Sequence, residues 1–356
     1  VTTLSTEAAP SMPMEGDRSA RARLALIMFA LLLVVTSLVS VMTGPVPLTV
    51  ATVLDAIFAP ETVDLRDLAI VWSVRLPRTV LAILVGGALA FSGALMQGLF
   101  RNPLADPGLI GVSAGATFAA IAAIVLGEAL LGAAAIIYVL PIGAFLGGLI
   151  ATITLYLIAT RRGRTSVATM LLGGIAIAAL MMAASGILIF MSNDQQLREL
   201  TFWSLGSLGG ASWQKIIAVL PFIALGLMLA GGFAGGFNAL ALGEAEARYL
   251  GIPVQLLKRI AIIAVALLTG TAVAVSGSIG FIGIVVPHLL RLAIGPDHRY
   301  LLPASVLFGA VLLTCADMVS RTIVAPAELP IGIVTALLGA PFFLWILLRN
   351  RNLVDL

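Results

Sequence analysis

Nine long apolar stretches, over 24–44, 79–99, 108–127, 133–159, 167–191, 214–234, 260–287, 300–319 and 329–348, dominate this chain of 356 residues. Most have the ~20 residues a helix needs to cross a hydrocarbon core about 30 Å thick. Lipid offers the backbone no hydrogen-bond partner, so such stretches fold as helices, which satisfy their own N–H and C=O groups. Buried helices of a soluble protein carry interspersed charge, whereas here 60% of residues are hydrophobic and 10% charged, against about 25% charged in ordinary soluble domains. The chain reads as an all-α, polytopic membrane protein. A single transmembrane domain over 24–350 follows a polar tail, 1–23, and precedes a short end, 351–356. A cleavable leader has a shorter apolar region than 24–44, so the first stretch is expected to remain as a span.

The stretch 260–287 is too long for one span, because 28 residues would reach about 42 Å at 1.5 Å each. Gly277, Gly280 and Gly283 lie within it at three-residue spacing, which predicts a turn over 276–283 between a full span and a short one. Ten spans put both termini on one side. Fourteen of the 20 Lys and Arg residues then fall on that side and six on the other, so the positive-inside rule makes both termini cytoplasmic.

Two outer loops are long, 45–74 and 191–213, and Trp203 and Trp213 in the second fit an interfacial belt. The one sizeable inner connection, 236–259, is expected to hold two short helices interrupted by Gly251 and Pro253. Glycines at Gly86-Gly87, Gly143/Gly147, Gly173-Gly174 and Gly232/Gly236 fit close helix crossings, since small residues let backbones approach in lipid.

The centres of the spans lack Asp, Glu, Lys, Arg and His. Proton- and ion-coupled transporters keep such groups at membrane depth, which disfavours an ATP-independent secondary transporter. No G-x-x-x-x-G-K-[ST] loop cradles a nucleotide, so the chain is not itself an ATPase. Gly111-Val112-Ser113-Ala114-Gly115 matches the hydrolase elbow pattern but opens an apolar helix rather than joining strand to helix. The lone Cys315 and the two histidines, His288 and His298, form no metal-ligand spacing. Arg75, Arg78 and Arg321 sit at outer helix ends, where they suit the carboxylates of a docking partner. Asp317 lies four residues before Arg321, however, a spacing equally suited to an intrahelical pair. Glu244 and Glu246 likewise suit either solvated surface or contact.

An ordered set of motifs resembles the permease family of type II ABC importers for cobalamin, ferric siderophores and haem. They are Arg75-Leu76-Pro77-Arg78, Ser92-Gly93-Ala94-Leu95-Met96-Gln97 and Arg101-Asn102-Pro103-Leu104-Ala105-Asp106-Pro107-Gly108, then Leu242-Gly243-Glu244 to Leu250-Gly251, Gly280-Phe281-Ile282-Gly283 to Pro287-His288, and Glu328-Leu329-Pro330-Ile331-Gly332. The resemblance implies a ten-helix, non-enzymatic subunit of the cell inner membrane that pairs with a second copy. Two cytoplasmic ATPase subunits would hold ATP and Mg, with a periplasmic binding protein above; no cofactor on this chain and no nucleic acid is implied. It further implies that the segment about 238–257 couples to the ATPase through Leu242, Gly243, Glu244, Ala247, Arg248, Leu250 and Gly251. Arg75 and Arg321 would receive acidic groups of the binding protein, with Arg78 added by proximity. Haem is the implied cargo, ferric siderophore the second and cobalamin the third. No histidine is expected along the pathway, so tight axial ligation of haem is not implied.

Overall fold

The computed structural model describes residues 18–349, so most of the polar tail and the stretch 350–356 lie outside the described residues. The first half of the chain forms α1 (Ser19–Met42), α2 (Val50–Phe58), α3 (Leu65–Ala69), α4 (Leu76–Phe100), α5 (Val112–Leu131), α6 (Ala133–Ala159) and α7 (Val167–Met191). A two-stranded hairpin, β1 (Thr160–Arg161) with β2 (Arg164–Thr165), joins α6 to α7. The second half forms α8 (Asp194–Ser204), α9 (Trp213–Gly231), α10 (Ala234–Leu242), α11 (Glu244–Tyr249), α12 (Val254–Ser276), α13 (Ile282–Ile294), α14 (His298–Ser320) and α15 (Ile331–Arg349). Seven of these helices have the length and apolarity to cross a membrane, and shorter apolar helices at 112–127, 282–294 and 331–345 occupy the remaining expected places.

The second span starts earlier than its apolar stretch suggests. Residues 65–100 are helical without interruption, and a π-turn over Ile70–Arg75 carries α3 into α4. Leu76 N–H bonds back to Val71, and Pro77, which has no N–H to give, follows in the first turn of α4.

α4 is the axis of the domain. Its most apolar window is 83% buried, against 11% for α7, and it packs on α9, α12, α13 and α14. Such burial requires close crossings. A methyl at Gly93 would overlap the Gly283 carbonyl of α13, and one at Gly86 would overlap the Gly309 carbonyl of α14. Gly115 and Gly147 meet in the same way between α5 and α6. Gln97 adds a polar tie, its Nε2 donating to the Ile284 carbonyl at 3.1 Å. The Gly232/Gly236 pair divides: Gly236 packs on Leu257, but a methyl at Gly232 would meet nothing within 4 Å. Gly232 ends α9, where the chain turns into α10.

The expected break lies where the glycines put it. α12 ends at Ser276, Gly277 takes φ 67° against the Trp203 carbonyl, and α13 begins at Ile282. With 13 residues, α13 reaches about 20 Å, a partial span. The end of α12 is tied to the turn after α8, and that turn in its own right to the start of α15. Ser207 N–H donates to Ser276 O at 2.8 Å, while Ile331 and Gly332 N–H donate to Gly206 and Leu205 carbonyls at 3.1 and 3.0 Å. In the loops 45–74 and 191–213, Trp72 Nε1 donates to Ala56 O and Trp213 Nε1 to Trp72 O, each at 2.8 Å.

Gly93→Ala should lower stability by about 1–3 kcal/mol, because α4 and α13 must separate to admit one carbon. Gly232→Ala should leave it unchanged. Thermal melting in detergent, followed by tryptophan fluorescence, checks both; equal melting of the two variants would show that the Gly93 crossing is not tight.

Candidate functional site

The connection between α9 and α12 carries the densest set of specific contacts outside the spans. Gly243, at φ 140°, separates α10 from α11 in a conformation L side chains rarely adopt. α11 ends in a Schellman motif, with Ile252 N–H on Ala247 O at 3.0 Å, Gly251 N–H on Arg248 O at 2.9 Å, and Gly251 at φ 79°. The two short helices expected here are therefore parted at Gly243, and Gly251 and Pro253 instead part the second from α12.

A six-residue helix is not stable alone. Ala247 seals its inner face, fully buried. Glu244 accepts from Lys258 Nζ at 2.6 Å and from Arg248 Nη2 at 3.4 Å. Lys258 lies on α12, is 2% exposed, and also donates to the Thr165 carbonyl of the hairpin at 3.0 Å. Thr165 N–H in turn donates to Gln255 Oε1 at 2.9 Å. A buried ammonium demands such partners, since stranding one typically costs about 3–5 kcal/mol. α10 has its own anchor. Asn238 Nδ2 donates to Asp297 Oδ1 at 2.6 Å, and Asn238 Oδ1 accepts the His298 N–H at 2.8 Å. The Arg299 guanidinium, aided by Asn238, holds the Asp297 carboxyl down at about 2.

The outward surface of this segment carries large apolar side chains beside the exposed Glu246 and Arg248. Tyr249 is 92% exposed, Leu242 68% and Leu250 62%. Contiguous apolar side chains rimmed by charge mark a protein contact. Arg164 of the hairpin and Arg248 of α11 line one cleft beside them with Pro253 and Gln255.

At the opposite ends of α4 and α14, Arg75, Arg78 and Arg321 are brought together, and all three are buried. Arg75 Nη1 donates to the Val41 and Met42 carbonyls at 2.8 Å, and its Nη2 to Val46 O, closing the C-terminal end of α1. Arg78 Nε pairs with Asp317 at 2.9 Å and Arg78 Nη1 with Glu328 at 2.7 Å. Arg321 Nε lies 3.4 Å from Asp317, and its Nη2 donates to Ser40 O and Oγ at 2.8 and 2.6 Å. The intrahelical Asp317–Arg321 pair is thus present, within a wider network that fastens α1 to α4 and α14. Of its carboxylates, Asp317 is fully buried, while the Glu328 side chain is 42% exposed.

Sequence reasoning singled out Glu244 and Arg248 but treated Lys258 only as an orienting charge, and it passed over Asn238, Gln255 and Thr165. A lysine flanked by Leu256, Leu257 and Ile260 at the start of a span is a usable signal. Its partners lie 14 and 93 residues away, beyond any local pattern.

The model of the FecCD transport family matches residues 32–349. The hemin transport system permease protein HmuU of Yersinia pestis is 50% identical over 287 residues, covering 79% of this chain and 84% of that protein. The vitamin B12 import system permease protein BtuC of Klebsiella pneumoniae is 41% identical over 335 residues, 93% of this chain and 96% of the relative. Among solved structures, a metal-chelate type ABC transporter in an inward-facing conformation superposes with a TM-score of 0.81 at 32% identity, covering 92% of this chain and 99% of the other. With its model matched along nearly the whole chain and its fold shared by that transporter, this protein belongs to the FecCD transport family.

Proposed function

We propose that this ABC importer permease carries haem across the inner membrane, with both termini cytoplasmic. In this reading two copies enclose the pathway, two ATPase subunits bind ATP and Mg beneath them, and a periplasmic binding protein delivers the cargo. The observation that carries the import reading is the α10–α11 segment, a short helix held from within by ion pairing and presenting Leu242, Tyr249 and Leu250 outward. ATP binding at the partner would displace this segment and open the dimer alternately to each side. Haem is favoured by the 50% identity to the hemin permease of Yersinia pestis, and cobalamin stays second through the B12 permeases. Ferric siderophores share the same chelate class. His298 is fully buried with its Nδ1 2.9 Å from Asn238, and His288 is packed on Phe342. Weak ligation suits a pathway that must release what it carries.

Docking of the binding protein is proposed at Arg75, Arg78 and Arg321. Because Asp317 is sealed inside, the exchangeable contact is Arg78–Glu328: a carboxylate of the binding protein would take the place of Glu328.

Two outcomes are expected. Binding protein loaded with haem should stimulate ATP hydrolysis by the assembled transporter several-fold more than the same protein offered ferric siderophore or cobalamin; the reverse order reassigns the cargo. Glu328→Gln should tighten docking of the binding protein by about three- to tenfold at low salt, by removing a competitor for Arg78. Weaker or unchanged docking, measured by surface plasmon resonance, would place the contact elsewhere.

A further inference from the structure

Lys258 is the one buried lysine among the described residues, and it joins three separate elements. Its Nζ donates to Glu244 at the start of α11 and to Thr165 at the end of the hairpin, while its own backbone belongs to α12. Gln255, one turn earlier, accepts from the Thr165 N–H and doubles the tie to the hairpin. Glycines bound α11 on both sides, Gly243 at φ 140° and Gly251 at φ 79°, so the helix is set off from α10 and α12 by a sharp turn of the backbone at each end. Apolar side chains slide across one another with little directional preference. A charged hydrogen bond of 2.6 Å does not, and it is stiffer where water is excluded. α12 is itself 72% buried and packs on α4, α5, α6 and α9, so a push delivered at its first turn reaches the core of the domain.

We propose that Lys258 is a positioning residue for transport, through which displacement of α11 is transmitted to α12 and to the Thr160–Thr165 hairpin. The proposal rests on the reading of 242–251 as the ATPase contact. It adds that the contact alone is insufficient: without Lys258, α11 follows the ATPase and the spans do not. ATP hydrolysis and cargo movement then part company, an effect that a residue serving only stability does not produce.

The test uses the complete transporter in proteoliposomes, with its ATPase subunits and haem-loaded binding protein, and reads cargo moved per ATP hydrolysed. Lys258→Met should still co-purify with the ATPase subunits and hydrolyse ATP within about twofold of wild type, while cargo per ATP falls about tenfold. The conservative Lys258→Arg should recover most of that ratio, since a guanidinium can donate both to Glu244 and to the Thr165 carbonyl. An unchanged ratio in Lys258→Met overturns the proposal. So does a loss of transport and hydrolysis in equal proportion, with lowered melting and no recovery in Lys258→Arg, which makes Lys258 a folding residue. Failure of the wild-type chain to accumulate cargo on addition of ATP removes the import reading, and is told apart by not involving Lys258 at all.

Discussion

Hydrocarbon supplies no hydrogen bonds, so where a helix of this fold stops another part of the chain is called on to supply them, as Ser207 N–H does for Ser276 O at the end of α12. Beside the interval between α12 and α13, Ser276 O accepts from the turn after α8, and Leu205 and Gly206 of that turn accept from the start of α15. That convergence is possible only because the elements approach to backbone distance. Gly277 lies against Trp203 and Gly332 against Leu205, with no room for a side chain at either. The same economy of volume governs the crossings of α4, where Gly86 and Gly93 admit α14 and α13. Apolar burial gives helices in lipid little reason to associate, so close contact and a few polar ties such as Gln97 to Ile284 must hold the domain together.

Charge obeys a complementary rule. The ion pairs among the described residues gather in two sets, one at each end of the helices. One fastens α1 to α4 and α14 through three arginines and a sealed aspartate; the other fastens α10 and α11 to α14, α12 and the hairpin. In each set a buried cation is paired with a glutamate that solvent reaches, Arg78 with Glu328 in the first and Lys258 with Glu244 in the second. A carboxylate so placed is one that an incoming protein can engage without disturbing the spans beneath.

Much of this was legible beforehand. Lipid forces helix on any apolar run of sufficient length, so span number followed from run length and from the glycine spacing over 277–283. Arg321 and Asp317 were legible as a pair because four residues make one helical turn. Arg75 and Arg78 were not, since their partners on α1 and in the loop before α15 lie far off in the chain. The start of α4 at a π-turn escaped detection because an added residue in a turn leaves no compositional trace. The break at Gly243 was missed for a different reason: Gly251 and Pro253 are stronger local signals, yet they mark the end of α11 and not its beginning.

The confinement of Asp, Glu, Lys and Arg to the first or last two turns of the described spanning helices has an electrical consequence. A charge fixed at membrane depth shifts through the transmembrane field when its helix moves, and the voltage then biases that movement. The middle turns of the described spanning helices hold no such charge, so movement of those helices carries little side-chain charge across the field. On the import reading proposed above, a dependence of transport on membrane potential would then report chiefly the charge of the cargo.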